Sequence, residues 1–122
     1  MYKISKEFKF DAAHILDGMP KGHPCGRLHG HSYTVIIHLH SPELTKEGFV
    51  QDYNELKPFK EYIDNTLDHQ FLNDILMMNP TAELIATHIY EYFHHDFPKM
   101  YAVSVKETEK TIAQYEPEDN RR

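Results

Sequence analysis

The chain has 122 residues, 40% of them hydrophobic, with 13 basic and 19 acidic side chains, a formal net charge of -6 and a single cysteine. One domain spanning residues 1–122 with one core is expected, and the acidic balance argues against the clustered Lys and Arg of a nucleic-acid binder. No apolar leader opens the sequence and no window approaches the roughly 20 apolar residues of a membrane span. A soluble, cytoplasmic protein is therefore expected, and a lone cysteine, which builds no intrachain disulfide framework, suits a reducing compartment.

In the first third, Tyr2, Ile4, Phe8, Phe10 and Ala12 share one parity, broken only by Lys6, which predicts a strand with one buried face. His14 has the same parity at the strand's end. From His29 the odd positions run His31, Tyr33, Val35, Ile37 and Leu39, with Ser32, Thr34, His38 and His40 on the other face. Consecutive strands usually pair, and an antiparallel pair sets the end of the first beside the start of the second, so His14 should meet His29 and His31. The segment between, punctuated by Gly18, Pro20, Gly22, Pro24 and Gly26, is too long for a tight hairpin and reads as a functional loop, with Cys25 near its end.

Two helices and a second pair of strands follow. Asp52 and Glu55 have capping-box spacing, and Leu56, Phe59, Ile63 and Leu67 recur at helical steps, although Pro58 shifts the expected start toward Asn54. Asn79-Pro80-Thr81 announces a second helix whose face is traced by Leu84, Ile85, His88, Ile89, Tyr92 and Phe93. Tyr101, Val103, Val105 and Glu107 alternate again, Ile112 to Tyr115 suggest a short last strand, and Glu116 to Arg122 a frayed tail. The expected order is β-β-α-α-β-β, an α+β fold.

His-x-His on a strand places two imidazoles on one face about 7 Å apart, within reach of one ion, and a third histidine completes a zinc set with one open, catalytic position. Cys25 as a fourth ligand would instead close the site, giving a zinc-stabilised binding or assembly domain. Asp68-His69 offers a carboxylate to orient an imidazole and an imidazole to draw the proton from a thiol, or simply a turn-capping Asp beside a surface His. Glu107 projects a carboxylate from the core-facing side, where it needs a donor: a nearby Lys or backbone amide, or a ligand with two adjacent N–H groups. The remaining histidines show no such constellation: His38 and His40 point outward, His88 lies in a helix stripe, and His94 and His95 end that helix.

These residues together resemble the group of 6-pyruvoyltetrahydropterin and 6-carboxytetrahydropterin synthases. The resemblance is carried by Phe10-Asp11-Ala12-Ala13-His14, Cys25-Gly26-Arg27-Leu28-His29-Gly30-His31, Leu67-Asp68-His69 with Leu72-Asn73, Asn79-Pro80-Thr81 with Glu83, and Val105-Lys106-Glu107-Thr108. It implies a tunnelling fold (T-fold), a four-stranded antiparallel sheet with two helices on one face, closing into trimers that stack as a homo-hexamer. It also implies His14, His29 and His31 as Zn2+ ligands, Cys25 as general base with Asp68 and His69 activating it, and Glu107 as pterin anchor. The three-residue interval between Cys25 and His29 resembles the carboxy branch of queuosine and 7-deazaguanine biosynthesis. That branch converts 7,8-dihydroneopterin triphosphate and water to 6-carboxy-5,6,7,8-tetrahydropterin, acetaldehyde and triphosphate. The pyruvoyl branch eliminates triphosphate from the same substrate without cleaving the side chain. Lys21, His23 and Arg27 are the cations nearest in sequence for the triphosphate.

Overall fold

The computed structural model describes residues 1–118, so the end of the expected tail, residues 119–122, lies outside the described residues. Strands β1 (Tyr2–His14) and β2 (His29–Ser41) pair antiparallel without a break, from Tyr2 opposite Ser41 to His14 opposite His29. The parity reading holds: Phe8, Phe10, Ala12 and His14 are buried on β1, and Tyr33, Val35, Ile37 and Leu39 on β2. On the far side of β2, strand β4 (Met100–Lys106) pairs antiparallel, followed by β5 (Ala113–Tyr115).

The sheet corrects one expectation. It is not four-stranded and wholly antiparallel but five-stranded and mixed, because β3 (Gln70–Phe71) pairs parallel with β1 at Ala12 and Ala13, giving the order β3-β1-β2-β4-β5. A free β1 edge carries N–H and C=O groups that need partners, and the chain leaving the first helical segment supplies them. His69 makes the turn possible by adopting a left-handed backbone with φ of 59° and donating its N–H to Asp11 O. Such a conformation costs a non-glycine residue about 1–3 kcal/mol and persists only where the surroundings enforce it.

The capping box at Asp52 and Glu55 forms, but it opens a 3-10 turn (Tyr53–Leu56) rather than an α-helix. The α-helix α1 (Lys57–Tyr62) starts only there, with Pro58 in its first turn where a missing N–H leaves nothing unpaired, and it runs on into a π turn at Ile63–Leu67. A short helix α2 (Leu72–Ile75), which no periodicity announces, precedes α3 (Ala82–Phe93), so the order becomes β-β-α-β-α-α-β-β. Thr81 caps α3 by accepting from Leu84 N at 3.2 Å. The buried stripe of α3 is Ala82, Ile85, Ala86, Ile89 and Phe93, while Leu84 and Tyr92 are 41% and 58% exposed. The two alanines, not the two larger side chains, face the sheet and permit close approach. Between the helices and the sheet, Phe59 packs on Phe8, Phe93 and Phe97 with ring centroids 4.3–6.2 Å apart.

His38, on the helix-free face, is more enclosed than an outward histidine. Its Nε2–H donates to Ser104 Oγ at 2.7 Å, and that hydroxyl donates to Gln114 Oε1 at 3.0 Å. His88 Nε2 and Tyr62 OH share a hydrogen bond of 2.6 Å. Burial pushes both imidazoles below their ordinary 6.5. Folding therefore favours the neutral rings, and as pH falls below 6.5 the unfolded chain binds protons that the folded chain refuses, so stability is lost. Urea denaturation of metal-free protein should show a midpoint that drops on going from pH 7.5 to 5.5, and a His38→Gln/His88→Gln variant should show a shallower drop; parallel curves would contradict this assignment.

Candidate functional site

The β1–β2 register brings His14, His29 and His31 together as the sequence predicts. Their ligating nitrogens all lie within 4.8 Å of one another. Two carbonyls fix the tautomers: His14 Nδ1–H donates to Pro80 O at 2.7 Å and His29 Nδ1–H to Arg27 O at 2.7 Å, since a carbonyl only accepts. Tyr33 OH also lies 3.2 Å from His14 Nδ1, but the shorter contact to Pro80 claims that nitrogen's proton. Both Nε2 atoms are then bare lone pairs, and they face each other at 2.8 Å. Two acceptors at that separation repel unless a cation stands between them. His31 Nε2 is buried beside them, without any hydrogen-bond partner among the described residues. Burial pushes His14 and His31 below 6.5, which keeps the neutral, ligand-competent form. Three converging imidazoles are a donor set that could hold a metal ion.

Glu107 follows β4 and lies beside this centre. Its Oε2 is 3.8 Å from His31 Nε2, and its Oε1 accepts Ala82 N–H at 3.1 Å. Ala82 is the first residue of α3, so an otherwise orphaned helix amide and the positive end of the helix dipole hold the carboxylate in place. The donor that the sequence requires for Glu107 is thus a backbone amide, and the second oxygen remains aimed at the metal side. Neither the Pro80 carbonyl nor the Ala82 amide is visible in a sequence reading, where Asn79-Pro80-Thr81 signals only a helix start.

Cys25 stands apart from the histidine cluster, in a 3-10 turn (Pro24–Gly26) of the β1–β2 loop, and is partly buried. It does not belong to the ligand group, which leaves the closed four-ligand alternative without its fourth ligand. Asp68 and His69 form a separate cluster with Asp11: His69 Nδ1 bonds Asp68 Oδ2 at 2.8 Å, and Asp68 Oδ1 accepts Asp11 N–H at 2.9 Å. The Asp11 amide and the imidazole hold the Asp68 carboxyl below its ordinary value, and Asp68 in turn raises His69 above 6.5. The two side chains are therefore held together in advance, with the charged form of each favoured. His69, without Asp68, lines a cavity of about 600 Å³ with Asp11, Gly30, His31 and Ser32, and Cys25 is not among its lining residues.

Comparison with known proteins agrees with this arrangement. A family model described as 6-pyruvoyl tetrahydropterin synthase matches residues 3–118. The chain belongs to that family. It is similar to the 6-carboxy-5,6,7,8-tetrahydropterin synthase of Synechocystis sp., 37% identical over 122 residues that cover 94% of this chain and 93% of the relative. It is also similar to the dihydroneopterin monophosphate aldolase of Pyrococcus furiosus, 36% identical over 96 residues covering 79% and 78%. Among solved structures, the 6-pyruvoyl tetrahydropterin synthase of Caenorhabditis elegans superimposes with a TM-score of 0.83 over 95% of each chain at 24% identity, which speaks to the fold. No helix among the described residues of this family member is long and apolar enough to cross a membrane.

Two outcomes follow for the site. Cys25→Ala should keep stoichiometric zinc while His31→Ala loses it, read by metal analysis after dialysis; zinc loss in the cysteine variant would restore the closed-site reading. Asp68→Asn removes the charge that raises His69, so the imidazole should titrate closer to 6.5 by NMR. An unmoved titration would show that Asp68 does not set it.

Proposed function

We propose that the protein is a zinc-dependent lyase converting 7,8-dihydroneopterin triphosphate and water to 6-carboxy-5,6,7,8-tetrahydropterin, acetaldehyde and triphosphate, within queuosine and 7-deazaguanine biosynthesis. The observation that carries the proposal is the convergence of three imidazoles beside a helix-anchored carboxylate. A pterin presents a 2-amino group and an adjacent ring N–H, and a carboxylate accepts both at once. With Glu107 as that anchor, the substrate's side-chain oxygens fall on the histidine side. Zinc, when bound, supplies Lewis-acid polarisation of those oxygens and so acidifies the neighbouring carbon-bound proton.

Cys25 is the base for that proton. A thiolate is favoured beside a cation, and Asp68 favours the charged form of the His69 imidazole. Because Cys25 and His69 do not meet within one chain, this role places them together across a subunit boundary in a homo-oligomer, a hexamer built as a dimer of trimers. The short two- and three-residue edge strands β3 and β5 are the edges such closure would cover. Lys21, His23 and Arg27 lie exposed on the same loop as Cys25, Lys21 and Arg27 as cations for the triphosphate and His23, whose Nδ1 accepts the Cys25 N–H, as a neutral Nε2–H donor. The three-residue interval before His29 and the Synechocystis relative support the carboxy branch over the pyruvoyl branch. The Pyrococcus furiosus relative is the reason the test must identify products rather than substrate loss.

Incubation with 7,8-dihydroneopterin triphosphate should yield acetaldehyde, triphosphate and the 6-carboxy product together; a pyruvoyl product without acetaldehyde would sink the carboxy assignment. Glu107→Gln should weaken pterin binding by about 10- to 100-fold, the worth of a charged hydrogen-bond pair, with zinc content unchanged. Co-expressed Cys25→Ala and His69→Ala subunits, each inactive alone, should recover activity at about a quarter of their sites by random mixing in a symmetric ring. No recovery would place the base and the Asp68–His69 pair in one chain.

A further inference from the structure

Beyond His14, strand β1 loses its partners on both sides, since β3 ends at Phe71 and the β2 pairing stops at His29. Residues 15–17 nevertheless remain paired, and side chains do the pairing. Asn73 Oδ1 accepts Ile15 N–H at 2.9 Å while its Nδ2 donates to Ile15 O at 2.8 Å. Two residues on, Asn79 Oδ1 accepts Asp17 N–H at 2.9 Å and its Nδ2 lies 3.4 Å from Asp17 O. A primary amide presents a donor and an acceptor side by side, as a peptide edge does, and in a strand the groups of residues i and i+2 face the same way. The two asparagines thus extend the β3 edge by two rungs. The residue between must face the opposite side, and Leu16 does: its N–H donates to Cys25 O at 2.9 Å.

That bond matters because the other backbone bonds of the Cys25 turn are local. His23 N–H goes to Pro20 O, Gly26 N–H to His23 O, Arg27 N–H to Pro24 O, and Cys25 N–H to His23 Nδ1. The Leu16 amide is the backbone tie from this turn to the end of the sheet. Its direction is set by the two amide clamps, since freeing Ile15 and Asp17 would let the segment rotate and turn Leu16 N–H away.

The geometry points to Asn73 and Asn79 as positioning residues for Cys25, acting through Ile15, Asp17 and the Leu16–Cys25 bond. The inference rests on the reading of Cys25 as the base, because a base displaced by about 1 Å loses on the order of a hundredfold in rate while substrate binding elsewhere persists. The side-chain amides of both asparagines bond to the backbone of Ile15 and Asp17, and neither is bonded to the histidine cluster or to Asp68 and His69.

Asn73→Ala and Asn79→Ala in the full chain should keep zinc content and KM, and lower kcat about 10- to 100-fold. Both should also speed alkylation by iodoacetamide several-fold, and since the chain has one cysteine all label reports on Cys25. Hydrogen exchange supplies a measurement on the unaltered protein: the Leu16 amide should be protected, and should lose protection in each variant that folds. A KM rise with kcat unchanged, or alkylation and Leu16 exchange as in the parent, would overturn the assignment. So would an unprotected Leu16 amide in the parent protein, whatever the variants do. The two readings separate cleanly. An inactive Cys25→Ala beside normal asparagine variants removes the positioning role and leaves the base. A fully active Cys25→Ala removes the base and with it the expected kcat loss, while alkylation and exchange still report on the clamp.

Discussion

The antiparallel register that sets Ala12 opposite His31 and His14 opposite His29 is the constraint from which the site follows. Strand side chains alternate faces, so a slip of one residue between β1 and β2 would send one strand's histidines to the helix-free face and leave the other's behind. What holds the register is apolar: Phe8, Phe10, Val35, Ile37 and Leu39 lie on the same face as the imidazoles and are buried under the helices. The core therefore does not merely support the histidine cluster. The hydrophobic pattern that drives the sheet against α1 and α3 is the same pattern that orders the ligands, and the centre is its continuation at the open end.

A second constraint comes from four consecutive residues, 79–82, at the entry to α3. Asn79 pairs with the Asp17 backbone, Pro80 O takes the His14 Nδ1 proton, Thr81 caps the helix, and Ala82 N–H holds Glu107. Loop, metal ligand, helix and carboxylate are referenced to one short piece of backbone. Its rigidity is local chemistry, since proline fixes one φ and the capped first turn fixes the next few. A centre of facing lone pairs is electrostatically costly without its ion. Bracing of this kind keeps such a cluster from relaxing into hydrogen bonds of its own.

Most of this was legible where a period existed. Parity alone aligned His14 with His29 and His31, and parity alone put Glu107 on the core side with a demand for a donor. Three features had no period to read. β3 is two residues long, below the length at which alternation means anything, and it exists because His69 accepts a left-handed backbone. The α3 stripe runs through Ala82 and Ala86 rather than Leu84 and Tyr92 because fit against a sheet selects small side chains, which hydrophobicity undervalues. The donors to the site from Pro80 and Ala82 are backbone groups, which every residue carries and no sequence pattern marks. Family resemblance supplied roles for Cys25, Asp68 and His69, but spacing cannot say that one chain keeps them apart.

That separation has a physical logic. The histidines and Glu107 sit on strand ends and beside a helix terminus, braced by buried groups. Cys25 sits instead on a turn tied to the sheet through Leu16. The His69 imidazole is 78% exposed on the single chain, where a charge keeps its hydration and has little influence on a distant sulfur. On the proposed reading of Cys25 and His69, covering that ring with another subunit would lower the local dielectric around it, so the charge would gain its electrostatic reach only on assembly. Under the same reading a lone chain would keep its three histidines and Glu107 in place while Cys25 lay beyond the reach of the His69 ring.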